Sequence, residues 1–182
     1  MSIQLTINDQ QIDAQSGQTV LEAAREHGIV IPTLCHHPDL SPVGSCRLCL
    51  VEVDGVRGEP AACTLPASQG MVVRTETPAL RAGRKTVLEM LLRDYHDAGY
   101  TARDRPETEF MGWVRHYGAA PGPETPGLRG LGKVPLAGAA PRYAVDADPN
   151  PFVWVDFNKC ILCTRCVRAC AEVQGRFVWG VN

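Results

Sequence analysis

The eight cysteines of this chain fall into two groups of four, and their spacing limits the fold more than any other feature. Cys35, Cys46, Cys49 and Cys63 read C-x10-C-x2-C-x13-C, whereas Cys160, Cys163, Cys166 and Cys170 read C-x2-C-x2-C-x3-C. Four thiolates reach one centre only if the backbone between them wraps around it. Such spacings suit iron–sulfur clusters, and two different spacings imply two cluster types. Electron transfer is the first functional expectation.

Composition adds exclusions. A chain of 182 residues is one large or two small domains, able to bury a core. Its formal charge of -2, with 21% charged residues, sets up no basic field, so no nucleic-acid partner is expected. The first residues, Met1-Ser2-Ile3-Gln4-Leu5-Thr6-Ile7, lack the basic and apolar regions of a signal peptide. No apolar run approaches the roughly 18 residues that cross a bilayer, so membrane insertion is not expected either. The expected compartment is the reducing cytoplasm, where an even cysteine count points to metal binding before disulfides.

The remaining pattern predicts an α+β chain. Ile3, Leu5 and Ile7 alternate with polar residues, and Asn8-Asp9-Gln10 turns into a second run around Ile12, which predicts a hairpin. Thr19 with Glu22 forms a capping box for a helix that buries Val20, Leu21 and Ala24 and closes at Gly28. Leu48–Val53 reads as a strand, Asp54-Gly55 as a turn and Met71-Val72-Val73 as another strand. Strands around one helix, with a long cysteine loop between them, predict a β-grasp [2Fe–2S] ferredoxin-like domain over residues 1–76. Thr77-Pro78 opens a helix expected to run to about Asp97, with Leu80, Val87, Leu88, Leu91, Leu92 and Tyr95 on one face. Residues 77–117 form a helical region, and 118–151, rich in glycine and proline, a linker or a loop draped over a partner. Residues 152–182 form a ferredoxin-like [4Fe–4S] segment.

In the first group, Pro42-Val43-Gly44-Ser45-Cys46-Arg47-Leu48-Cys49 places glycine where backbone must come close, so N–H groups can point at the sulfurs. Those donors, with Arg47, would stabilise the reduced state and raise the potential. A four-cysteine zinc site also accepts a C-x2-C pair. Zinc sites usually bring two such pairs, whereas Cys35 and Cys63 stand alone. His36 and His37 beside Cys35 are expected to face solvent or to support the ligands rather than to ligate.

The runs Ile31-Pro32-Thr33-Leu34-Cys35 and Gly44-Ser45-Cys46-Arg47-Leu48-Cys49-Leu50-Val51-Glu52-Val53 resemble the [2Fe–2S] domain that opens several related subunits. These are the large iron–sulfur subunit of complex I, the small diaphorase subunit of NAD-reducing hydrogenases and the α-subunit of NAD-dependent formate dehydrogenases. Gly70-Met71-Val72-Val73-Arg74-Thr75 looks closest to the last of these. The resemblance implies that Cys35, Cys46, Cys49 and Cys63 hold a [2Fe–2S] cluster. It also implies a middle H-x3-C-x2-C-x5-C cluster, but here His96 is followed at those intervals by Tyr100, Arg103 and Glu109. Arginine cannot coordinate and soft iron sites want thiolates, so that cluster is expected to be absent. The alternative is a variable loop over residues 97–117.

The second group, Asn158 to Cys170, matches bacterial-type ferredoxins, with Cys160, Cys163 and Cys166 on one [4Fe–4S] cluster. Cys170 would complete it or serve a second [4Fe–4S] cluster. The matching second ladder does not follow before Asn182, so further C-terminal sequence is expected, all the more because Phe177-Val178-Trp179-Gly180-Val181 reads as a strand without partners. Trp113, Trp154 and Trp179 are expected to pack rather than to carry electrons.

No serine–histidine–acid set, phosphate-cradling glycine loop or carboxylate pair stands out, so no catalytic site is expected in the chain itself. The resemblance implies an electron-transfer subunit between a catalytic molybdenum or tungsten subunit, or a NiFe one, and a flavin/NAD-binding diaphorase subunit. A free-standing soluble ferredoxin and a structural zinc module are the alternatives.

Overall fold

The computed structural model describes residues 2–95, 108–120, 143 and 156–180. The chain divides into two compact units, Met1–Arg84 with Cys163–Asn182, and Lys85–Leu162.

The first unit opens with strands β1 (Ser2–Ile7) and β2 (Gln10–Gln15), paired so that Leu5 faces Ile12. Asn8 and Asp9 between them take φ of 50 and 65, the left-handed geometry that matches a two-residue turn to twisted strands. Asn8 also exchanges two hydrogen bonds with Thr75: its Nδ2 donates to the hydroxyl at 2.7 Å, and its Oδ1 accepts from the amide at 2.8 Å. Helix α1 (Val20–Glu26) starts at the expected capping box, with the Glu22 amide donating to the Thr19 hydroxyl at 3.2 Å and the Thr19 amide to the Glu22 carboxylate at 2.7 Å. Strands β3 (Glu52–Val53) and β4 (Val72–Arg74) complete a four-stranded sheet of order β2-β1-β4-β3, in which β1 and β4 run parallel. Leu5, Ile7, Ile12 and Ala14 from the hairpin share one core with Val20, Leu21, Ala23 and Ala24 of α1. Each large apolar side chain so buried contributes about 1.5–3 kcal/mol. This small mixed sheet with its helix fits the ferredoxin-like expectation for the front of the chain.

The strand expected over Leu48–Val53 shortens to Glu52–Val53, and Leu50 makes only an isolated bridge with Ala61. The carbonyls of Leu48 and Leu50 are taken by a buried arginine, Arg84, and so do not pair with a neighbouring strand. Helix α2 (Pro78–Asp94) begins after Thr77, whose hydroxyl accepts from the Leu80 amide at 3.3 Å. It ends at Asp94, short of the expected Asp97, and the division between the units falls within it.

In the second unit, helix α3 (Glu109–Tyr117) is an element the sequence reading did not resolve. Thr108 caps it by accepting from the Met111 amide, and Gly118, at φ 58, stops it in the left-handed conformation. Phe110, Val114 and Tyr117 are buried, and the Tyr95 and Phe110 rings lie 4.9 Å apart. Glu109 opens α3, where an acidic residue suits the positive end of the helix dipole. His96, Tyr100 and Arg103, the linker apart from residues 118–120 and Tyr143, and the run Val153-Trp154-Val155 lie outside the described residues. A 3-10 turn over Phe157–Lys159 precedes Cys160, and Asn158 exchanges two 3.0 Å hydrogen bonds with the backbone of Tyr143.

The chain then returns to the first unit, which also contains a short helix α4 (Arg165–Arg168), continued by a π-turn over Ala169–Val173. No helix among the described residues is long and apolar enough to cross a membrane.

Candidate metal centre

The first four cysteines are gathered by the core of the front unit. Cys49 and Cys63 belong to the apolar cluster that holds the sheet and α1, and Cys35 is equally buried, while Cys46 is partly accessible. The amides at the start of α1 explain how Cys63 is placed. A helix leaves its first amides without intrahelical partners. Here the Val20 amide donates to the Leu65 carbonyl at 2.8 Å and the Leu21 amide to that of Ala62 at 3.1 Å, bracketing Cys63. The Ala62 amide in turn donates to the Cys49 carbonyl at 2.9 Å, which joins the segments of the two cysteines.

The four thiols shift one another's titration in the order Cys46–Cys35–Cys63–Cys49. Cys35 is driven far below the usual thiol range by the Cys46 and Cys63 thiols, helped by the Cys46 amide and the Ser45 hydroxyl and opposed by burial. Cys49 is lowered to about 7 by the Cys63 thiol and then by the Cys63 amide. The partners move the other way: Cys46 is raised by Cys35 and by burial, and Cys63 by Cys35 and Cys49. Among the described residues, no three His, Cys, Asp or Glu side chains converge on one metal ion. A [2Fe–2S] rhomb asks for two pairs of thiolates, one pair on each iron, and four thiols met by amide and hydroxyl donors have the chemistry to hold it.

Backbone geometry follows the same need. Gly44 has φ +61, and a side-chain carbon placed there would meet the Thr64 methyl at 3.3 Å, so the glycine lets the first loop close onto the residue after Cys63. Between Cys46 and Cys49, Arg47 takes φ 55. Leu162 and Thr164, in the two C-x2-C steps of the second group, take φ 55 and 59. All three steps thus place a non-glycine residue in the left-handed region, which costs energy and is one of the backbone conformations from which anion-binding concavities are built.

His36 is buried, not solvent-facing, and burial and Arg25 lower its pKa, so the ring is neutral. Its Nδ1 has no hydrogen-bond partner. His37 is exposed and lies 3.6 Å from Asp39. Trp113 packs within α3 against His116, ring centroids 5.6 Å apart. Phe177 and Val178 are 75% and 76% exposed, not paired in a strand.

Two arginines escaped the sequence reading. Arg84 is fully buried, donating from Nε to the Leu48 carbonyl at 3.0 Å, from one terminal nitrogen to the Leu50 carbonyl at 2.7 Å and from the other to Glu76 at 2.6 Å. It straddles Cys49. The available signal was its place midway between Leu80 and Leu88 on the buried stripe of α2. Arg168 reaches the first loop from the second cysteine group.

That second group is distributed differently. Cys166 lies in α4 and is exposed, Cys170 is buried in the following turn, and Cys163 is partly accessible. Cys160 belongs to the other unit.

Residues 1–78 match a family described as a 2Fe-2S iron-sulfur cluster binding domain. The chain is 38% identical over 179 residues to an NADH-quinone oxidoreductase subunit of Rhizobium meliloti, covering 98% of this chain and 20% of that protein. It is 30% identical over 173 residues to the mitochondrial NADH-ubiquinone oxidoreductase 78 kDa subunit of Neurospora crassa, covering 95% and 22%. Among solved structures it is similar to a chain in the crystal structure of NAD+-reducing [NiFe]-hydrogenase in the H2-reduced state. That match has a TM-score of 0.79 and 32% identity, over all of this chain and 72% of that one. The chain spans about a fifth of the length of the two curated relatives.

Proposed function

Because the chain belongs to the 2Fe-2S iron–sulfur family that includes these NADH-quinone and NADH-ubiquinone oxidoreductase subunits and a chain of NAD+-reducing [NiFe]-hydrogenase, we propose that it relays electrons within a multi-subunit, NAD-linked oxidoreductase. The observation that carries this reading is the array of Cys35, Cys46, Cys49 and Cys63, with Cys49 and Cys63 set in the apolar core and the site met by amide and hydroxyl donors. These four residues hold a [2Fe–2S] cluster, which when bound supplies one-electron chemistry. The core fixes the thiols so that gaining or losing an electron requires little rearrangement. The amides of Cys46 and Cys63 and the hydroxyl of Ser45 favour the more negative state.

Cys160, Cys163 and Cys166 hold a [4Fe–4S] cluster, with Cys170 completing it or serving a second one. The left-handed Leu162 and Thr164 support this assignment. The corresponding domains are 1–76, a helical region 77–117 that has lost a middle cluster, a linker 118–151 and a ferredoxin-like segment 152–182. Partners are a flavin/NAD-binding diaphorase subunit and a catalytic metal subunit, in the cytoplasm. A NiFe partner is supported by the hydrogenase structure, whereas a molybdenum or tungsten formate dehydrogenase partner is supported by residue runs alone.

A redox titration of the anaerobically purified full-length protein, followed by visible absorbance, tests the proposal. Reversible bleaching with iron and acid-labile sulfide in equal amounts is expected. A colourless protein containing zinc would overturn it.

A further inference from the structure

Arg168, in the segment that carries Cys166 and Cys170, is 8% exposed, and its bonds lead to the other cysteine group. One terminal nitrogen donates to the Ser41 carbonyl at 2.6 Å, the other to the carbonyl of Cys35, and Nε to the Thr164 hydroxyl of its own segment at 3.3 Å. One turn further on, Glu172 accepts from the Ser41 amide at 2.7 Å. Arg168 and Glu172, at i and i+4, therefore hold both backbone groups of Ser41, and Arg168 alone reaches Cys35.

All the acceptors of Arg168 are neutral, and among the described residues it forms no ion pair with a carboxylate. Its positive charge is thus met by no ion-pair contact, and the nearby Glu172 carboxylate feels it only through space. Glu172 is exposed, where water screens it, and it binds at Ser41 rather than at Cys35. A buried cation beside a redox centre favours the state carrying the extra electron.

We propose that Arg168 is a positioning residue for the [2Fe–2S] site: it fastens the segment of Cys163, Cys166 and Cys170 to the Cys35 loop, and its cation on the Cys35 carbonyl raises the reduction potential of that site. This rests on the reading of Cys35, Cys46, Cys49 and Cys63 as cluster ligands. The arrangement makes the Cys163–Cys170 segment a mechanical neighbour of the Cys35 loop, so ordering of one orders the other.

The test is an EPR-monitored redox titration of the full-length protein, purified anaerobically as wild type, Arg168→Gln and Arg168→Lys. Arg168→Gln should shift the [2Fe–2S] midpoint to more negative potential and lower the melting temperature. Arg168→Lys, which keeps the charge but not the two-carbonyl fork, should lower the melting temperature while holding the potential near wild type. An Arg168→Gln midpoint equal to wild type overturns the inference and leaves the functional reading intact. Should Arg168→Gln fail to load iron, Arg168→Lys decides: loading with a near-wild-type potential supports the inference, and equal failure assigns Arg168 to packing alone. A wild-type protein without a [2Fe–2S] signal overturns the functional reading and this inference together.

Discussion

Arg84 Nε donates to the Leu48 carbonyl at 3.0 Å from a position with no solvent exposure, so a charged helix residue braces the turn that presents Cys49. A guanidinium is suited to this because its fork meets the carbonyls of Leu48 and Leu50 and still reaches Glu76. Replacing it with Met keeps most of the volume and leaves those acceptors unmade, at about 1–3 kcal/mol for each buried one. Arg84→Met should therefore lose about 2–4 kcal/mol in denaturant unfolding and reduce iron loading. Arg84→Lys should fall between the two, since an ammonium cannot span both carbonyls.

The α1 cap offers a contrasting case. Thr19→Ala removes the acceptor for the Glu22 amide and should cost about 1 kcal/mol. Because the amides that position Cys63 come from Val20 and Leu21, the cap variant should load iron normally and titrate at the wild-type potential. Equilibrium unfolding and a redox titration on one preparation check both halves.

Gly44→Ala combines two costs. The left-handed backbone penalises any side chain by about 1–2 kcal/mol, and the new methyl meets Thr64 at 3.3 Å. Thr64→Ser deletes that Thr64 methyl, so the double variant should recover the steric part of the loss and keep the backbone part. Melting curves of the two single variants and the double variant separate them.

Much of the front unit was legible because its signals are local. Asn8-Asp9, the Thr19–Glu22 box and the Thr77-Pro78 start each act within one turn of chain, and each appears where expected. Cysteine spacing identified the four thiols that the structure brings together. What stayed hidden depends on contacts distant in sequence. Arg84 meets Leu48 across 36 residues and Arg168 meets Ser41 across 127, and neither pairing leaves a periodic mark. The strand expected from Leu48 failed for the same reason, its carbonyls being claimed by a helix further along the chain. Of the two places the sequence left open for His36, the packed loop beside Cys35 selects the buried one.

The central claim is that Cys35, Cys46, Cys49 and Cys63 together hold one [2Fe–2S] group. EPR spectroscopy of the reduced full-length protein, comparing wild type with Cys63→Ala, tests it most directly. The account predicts a [2Fe–2S] signal in the wild type that disappears in Cys63→Ala, while signals from the Cys160–Cys170 group persist. An undiminished [2Fe–2S] signal in Cys63→Ala, or a folded wild type that binds zinc and gives no such signal, would contradict it.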